Sequence, residues 1–294
     1  MKTMLLTGLI LITLSCIPRE DPPQRNPELL TEKVLPSVLD ENSGMTSFGD
    51  LIWFINDSGN DSAMYGYSTQ DNEVKRTVHI HSAHNTDWED ITQNNQYVFI
   101  GDFGNNAAGN RTDLRIYIIR KDDVIANDTV EPEGVINFSY EDQSDFSAQG
   151  NNNTNFDCEG FIATESTIVL FSKDWIDNKT RLYTLSIAPG LQTAMLKKEW
   201  NVGALVTSAC YSGSAGDLYL AGYTESLTPV IWQFTGFNTE TLNFDHVSRT
   251  DFDMLFTQTE GIMILNGQIY VSSEAFTLIQ PGTPASLFRL DRGN

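Results

Sequence analysis

Three glutamates, Glu89, Glu159 and Glu260, stand ahead of short apolar runs, and each run is followed by a second acid. Glu89-Asp90-Ile91 leads through Tyr97-Val98-Phe99-Ile100 to Asp102, and Glu159-Gly160-Phe161 leads through Ile168-Val169-Leu170-Phe171 to Asp174. Glu260-Gly261-Ile262 leads through Ile269-Tyr270-Val271 to Glu274. Weaker copies begin at Ser43-Gly44-Met45, with Asp57 closing the run, and at Ser208-Ala209-Cys210, with no acid at the close. Carboxylates gathered at one place repel, and their pKa values rise unless a cation or hydrogen-bond donors neutralise them. Calcium takes six to eight oxygens of just this kind. Glu89, Glu159, Glu260, Asp57, Asp102, Asp174 and Glu274 are therefore the candidate metal ligands, joined by Asp87 and Asp157, each two residues before an anchor. The competing role for such acids is to accept backbone N–H groups at turns. Trp88 and Trp175, next to the acids, are candidates for stacking on a sugar ring, with core packing as the alternative.

No residue is placed in a catalytic role. His79 and His81 alternate on an outer strand and His84 follows, but an exposed strand offers no enclosing shell for zinc. Ser58 and Ser214 sit in turn sequences, without a nucleophile elbow or a histidine partner.

The spacing of the anchors shows what must position them. Placed at 43, 89, 159, 208 and 260, they stand 46, 70, 49 and 52 residues apart, the periods of propeller blades. Each unit has a third strand with an aromatic in its second place, at Tyr65, Tyr117, Tyr183, Trp232 and Phe288. Fourth strands are expected at 74–81, 134–140, 194–202 and 244–250. The last unit has no fourth strand before Asn294, while residues 32–39 form a strand with no local partner. The expectation is an all-β fold: a single β-propeller of five four-stranded blades, closed by the N-terminal strand, which removes an open edge. Six blades is the alternative if the longest interval hides one, although its excess, residues 141–155, is Gln-Ser-Asn-Gly rich and reads as a surface loop. The second strands are nearly continuous apolar runs and must be covered on both faces. In a blade, the start of the first strand and the end of the second meet at one rim, so the acids are expected at one channel mouth.

The N-terminus has Lys2 and then an apolar stretch over 4–14, too short to span a bilayer, which reads as a signal peptide over 1–15. It ends Thr13-Leu14-Ser15-Cys16, which resembles the lipobox of bacterial lipoproteins and implies lipid on Cys16. Residues 16–31, polar and proline-rich, read as a tether and 32–294 as the propeller domain. Lys and Arg number 18 against 39 Asp and Glu, a formal net charge of −21, which repels phosphate backbones and excludes nucleic-acid binding. Cys158 and Cys210 are expected as thiols, since they occupy different offsets in their repeats.

Three motifs carry a resemblance. Asn56-Asp57-Ser58-Gly59-Asn60, Asp87-Trp88-Glu89-Asp90, and Gly101-Asp102-Phe103-Gly104-Asn105-Asn106 followed by Arg111 and Ile116-Tyr117 are similar to those of a family of secreted or lipid-anchored propellers of Gram-negative bacteria. A looser likeness, through the Glu-Gly anchors at 159 and 260, is to the SdiA-regulated and phytase-esterase-like propellers. It implies calcium at the anchor glutamates. The expected protein is thus a monomeric outer-membrane lipoprotein of the cell envelope, on the periplasmic side or the cell surface. Its acidic, calcium-binding mouth would present a surface to a protein or glycan partner. The alternative is a calcium-dependent hydrolase of the lactonase or phosphoesterase kind.

Overall fold

The computed structural model describes residues 27–213, 215–254, 257–277 and 282–291. The signal stretch, Cys16, most of the tether and Ser214 lie outside them.

The chain begins with β1 (Glu28–Val34), and then runs β2 (Asn42–Phe48), β3 (Leu51–Asn56), β4 (Ala63–Ser68) and β5 (Glu73–Ile80). A second unit holds β6 (Trp88–Gln93), β7 (Tyr97–Asp102), β8 (Arg115–Arg120), the short helix α1 (Lys121–Ala126), β9 (Thr129–Val130) and β10 (Gly134–Tyr140). The third has β11 (Cys158–Ala163), β12 (Thr167–Ser172), β13 (Thr180–Ser186) and β14 (Gly190–Trp200), and the fourth β15 (Leu205–Ser212), β16 (Asp217–Tyr223), β17 (Pro229–Thr235) and β18 (His246–Asp251). The last has β19 (Thr259–Leu265), β20 (Gln268–Ser273) and β21 (Ser286–Asp291), and β1 completes it by pairing antiparallel with β21. The closing strand lies earlier than expected: residues 28–34 pair, whereas Ser37–Leu39 form a 3₁₀ turn after Pro36, whose missing N–H could not serve a ladder.

Among the described residues, pairing thus makes five antiparallel sets of four strands. Sheets 2 and 3 are joined into one of eight strands by a parallel pair, β10 with β14, and β9 adds to the edge of β5. First strands β2, β6, β11, β15 and β19 pack side by side in that order, and β19 packs back on β2. The protein is all-β and propeller-like.

The apolar runs explain the packing. Residues 52–56 of β3, 98–102 of β7 and 168–172 of β12 are all buried, because neighbouring units cover both faces. Trp53, Ile55 and Trp88 share one core cluster with Val98 and Ile100, so adjacent units are welded by side chains from both. Arg76 of β5 reaches the excursion between β8 and β10, donating to the carbonyls of Val124 (2.9 Å), Ile125 (2.6 Å) and Asn127 (2.7 Å) at the C-terminal end of α1.

Candidate functional site

Each first strand carries an irregularity in its pairing near its start: between Asn42 and Gly44, Trp88 and Asp90, Cys158 and Gly160, Val206 and Ser208, and Thr259 and Gly261. A bulge adds one residue to the strand and re-aims its side chain. Ser43, Glu89, Glu159, Thr207 and Glu260 are the five extra residues. In the fourth unit the anchor is therefore Thr207, one residue before the expected Ser208. Its hydroxyl donates to the Thr259 carbonyl (2.5 Å), tying it to the fifth unit.

One residue further on, Gly44, Asp90, Gly160, Ser208 and Gly261 form a layer in which neighbouring first strands approach closely. Asp90 is fully buried and its carboxylate accepts from Ile91 N–H (2.9 Å), Phe161 N–H (3.2 Å), the Ser208 hydroxyl (3.1 Å) and Ala209 N–H (3.4 Å). Ser208 Oγ in turn accepts from Ile262 N–H (3.2 Å), so four units meet through two side chains, Asp90 and Ser208. The small residues are the reason Asp90 fits: a Cβ on Gly44 would lie 2.8 Å from Asp90 Cα. Burial raises the Asp90 pKa and its donors oppose the rise.

On the N-terminal side of that layer is a cavity of about 270 Å³, lined by Asp57, Glu89, Glu159, Glu260 and Glu274 together with Lys173, Trp175, Tyr223, Asn42, Ser43 and Gln258. Asn106, Asn151 and Asn152 also line it, so the far end of the long loop over 141–155 forms part of its wall. That loop is pinned there by the Asn152 N–H donating to the Asn106 carbonyl (2.8 Å). Among the described residues, two groups of three carboxylates, Asp57–Asp87–Glu89 and Glu89–Asp157–Glu159, each have oxygens within 4.8 Å of one another. These buried acidic clusters can hold a metal ion. Gly104 makes the first group compact, since a Cβ there would overlap both Glu89 Oε1 and Asp87 Oδ2.

Burial pushes the Glu89, Glu159 and Glu260 carboxyls well above the usual range. Glu159 and Asp57 push Glu89 further, while Lys173 pulls Glu159 and Glu260 back. Asp57 is also raised by burial, against the pull of the Ser58 N–H. Asp87, buried beside Asp57 and Asp157, is pushed up to about 7, and Glu274, buried beside Asp57, also to about 7. Burial works against the Lys173 ammonium, but Glu159, Glu260 and Asp157 outweigh it and hold it charged.

Of the residues proposed from sequence, Asp57, Glu89, Glu159, Glu260 and Glu274 come together at this cavity, with Asp87 and Asp157 in the two carboxylate groups. Asp102 and Asp174 stand outside it. Asp102 is buried against Arg111 (2.9 Å) and Arg115 (3.6 Å), and its Oδ1 also accepts the Asp87 N–H (3.1 Å). Asp174 pairs with Arg181. Trp88 is fully buried in the core, its indole donating to the His84 carbonyl (3.0 Å), whereas Trp175 lines the cavity and donates to Asp157 Oδ2 (2.7 Å). His79, His81 and His84 are exposed, and Cys158 and Cys210 are free thiols.

Lys173 escaped the sequence reading. Its Nζ lies 2.5 Å from Glu159 Oε2, 4.6 Å from the centre of the Trp175 ring and 4.9 Å from that of Tyr223. The signal was available in the register: Asn56, Asp102, Ser172 and Ser273 pair with equivalent first-strand residues. The next position is Asp57, Phe103, Lys173 and Glu274, which makes Lys173 rather than Asp174 the rim residue of its unit.

No protein-family model matches the chain, and no curated protein matches it in sequence. Among solved structures, it is similar to hydrazine synthase of Kuenenia stuttgartiensis at a TM-score of 0.42 and 9% identity, covering 82% of this chain and 57% of that one. A chain in the crystal structure of the mitotic checkpoint complex matches at 0.40 and 12% identity, covering 97% and 99%. A Thermus thermophilus oxidoreductase described as a glucose dehydrogenase matches at 0.48 and 9% identity, covering 90% and 100%. The chain thus spans a little over half of the hydrazine synthase chain. Likeness at this level carries no functional argument.

Proposed function

We propose that this chain is a lipid-anchored protein of the cell envelope, a single propeller of five four-stranded blades. It binds calcium at one channel mouth and serves there as a binding module for a protein or glycan partner. The five-bladed reading is supported by the closed circuit of first strands and by β1 completing the last set. The anchor rests on the apolar N-terminal stretch ending at Ser15-Cys16. One observation carries the cation: acids from four of the five units converge on one cavity, where Lys173 is the sole basic side chain among the described lining residues. A hard cation with many oxygen ligands satisfies such a cavity better than further donors, and calcium is the common one outside the cytoplasm. The neutral oxygens Asn42 Oδ1 and Ser43 Oγ, buried at the same cavity without a hydrogen-bond partner among the described residues, add ligands of the type calcium accepts.

The test is thermal unfolding of the chelated protein with and without added calcium chloride, together with elemental analysis of protein purified without chelator. Expected are retained calcium and a calcium-dependent rise in Tm, as for any ligand held only by the folded state. Protein that carries no metal and shows no shift would leave the acids as scaffolding and overturn the reading.

One observation favours the alternative of a calcium-dependent hydrolase: the cavity leaves room beside the carboxylates for a small substrate, with acids of raised pKa at hand as bases. Lactone and phosphodiester substrates, offered with calcium, separate the two. Turnover that Glu274→Gln abolishes while calcium still binds would favour the enzyme.

A further inference from the structure

The two carboxylate groups share Glu89 and are alike in formal charge, but their hydrogen bonds set them apart. In the group of Glu89, Asp157 and Glu159, three of the six carboxylate oxygens are held by donors. Asp157 Oδ1 accepts from Asn105 N–H (2.6 Å) and Oδ2 from the Trp175 indole (2.7 Å), while Glu159 Oε2 accepts from the Lys173 ammonium (2.5 Å). In the group of Asp57, Asp87 and Glu89, one Asp57 oxygen accepts from Ser58 N–H. Neither the Asp87 nor the Glu89 side chain accepts a hydrogen bond among the described residues, although Glu89 is only 7% exposed.

A second, uncharged feature at the same cavity calls for a cation. Asn42 and Ser43 are 1% and 4% exposed, and both line the cavity. The Asn42 amide is oriented by donating to the carbonyls of Leu39 (3.0 Å) and Ser273 (2.9 Å), and among the described residues neither its Oδ1 nor Ser43 Oγ has a partner. Ser43 is the bulge residue of β2, which packs between the Glu89 strand, β6, and the Glu260 strand, β19. Buried oxygens left unpaired at that density call for a bound species that accepts electron pairs. Lys173, by contrast, puts a fixed positive charge on Glu159, held between the faces of Trp175 and Tyr223.

Taking the mouth as a cation site, as proposed above, we infer that it holds one divalent cation, on Asp57, Asp87 and Glu89, and that Lys173 is the protein's own counter-ion at the other carboxylate group. Removing the lysine's charge opens a second cation position there.

The experiment is calcium stoichiometry and affinity, by titration calorimetry with calcium chloride and by elemental analysis after dialysis, on the full chain purified in detergent. The unsubstituted protein binds one calcium ion and Lys173→Arg still binds one, whereas Lys173→Met, which keeps the apolar stem, binds two. Because Lys173→Met strands Glu159 and is at risk of not folding, a second pair of variants reads the same point with the lysine in place. Asp87→Asn weakens calcium by at least about tenfold, whereas Asp157→Asn, which alters a residue outside the occupied group, changes it by less than about threefold. A folded Lys173→Met that binds a single ion, or an Asp157→Asn defect larger than that of Asp87→Asn, overturns the placement while leaving the cation site standing. No calcium on the unsubstituted protein sinks the site itself, and the placement with it.

Discussion

Asp90 shows how one carboxylate can hold a closed circuit together. It accepts from backbone N–H groups in its own strand and in two others, and from Ser208, whose oxygen serves a fourth. Alanine would leave three N–H groups without their acceptor. Asparagine would turn an amide, itself a donor, towards them. Each stranded buried donor costs about 1–3 kcal/mol, so Asp90→Ala should lower unfolding free energy in urea by about 3 kcal/mol or more, with Asp90→Asn also destabilised. A loss below about 1 kcal/mol would mean that water replaces the carboxylate and that the clasp is dispensable. Gly104 makes a different prediction. A methyl there overlaps Glu89 Oε1 and Asp87 Oδ2, the flexible ends of two side chains, so the fold can accommodate Gly104→Ala by moving them. Calcium affinity should fall about 10–100-fold, the usual cost of disturbing how ligands are held, while the chelated variant unfolds close to the parent. Equal calcium affinity would place the ion elsewhere.

The strands that carry these residues depend on burial and on closure. Phe99, fully buried in β7 and packed among residues of the second and third units, should cost about 3–5 kcal/mol as Phe99→Ser, through lost packing and a hydroxyl with no partner. Deleting residues 1–34 removes β1 and exposes the edge of β21. The product should aggregate or melt well below the parent, because an unpaired edge is a template for other chains. A soluble, cooperatively melting deletion would show that the closing strand is an ornament. Much at this scale was legible in sequence. Apolar runs and the aromatic second place in each third strand located the strands, and the acid recurrence located the mouth. What stayed hidden depended on partners that only folding supplies. Asp102 stands one residue before the position of Asp57 and Glu274 and Asp174 one residue after it, a shift that the strand register fixes; Arg115 is the cross-strand partner of Asp102 and Arg181 pairs with Asp174 from the neighbouring strand, so both are drawn aside. Trp88 faces the core because it alternates with Glu89, whose side chain the bulge turns to the cavity. The meaning of Asp90 depends on Gly44, against which it packs, and on Ser208, which donates to it, residues far from it in sequence on either side.

For the molecule as a whole, the acids are a source of strain that pH and cations should relieve in opposite ways. A carboxyl whose folded pKa is raised stabilises the fold only when protonated. Its contribution is complete below the unfolded value near 4 and is lost as pH rises through the folded one. Asp87 and Glu274, pushed up to about 7 by burial and by neighbouring acids, place that loss between weakly acid and neutral solution, and Glu89, Glu159 and Glu260 shift in the same direction. The formal charge of −21 adds general repulsion that also eases as acids protonate. In chelator, Tm should therefore climb as pH falls from about 8 to about 5, before wider acid unfolding begins. With calcium the slope should flatten or reverse, because the ion binds the ionised form and must displace protons to do so. The increase in Tm caused by calcium should be greatest near pH 8 and smallest near pH 5, and at neutral pH binding should release protons, read as a buffer-dependent heat in calorimetry. A chelated protein whose Tm falls steadily over that same acid range would mean that these carboxyls are stabilised as anions by the protein alone, which would remove the electrostatic reason for a cation at the mouth.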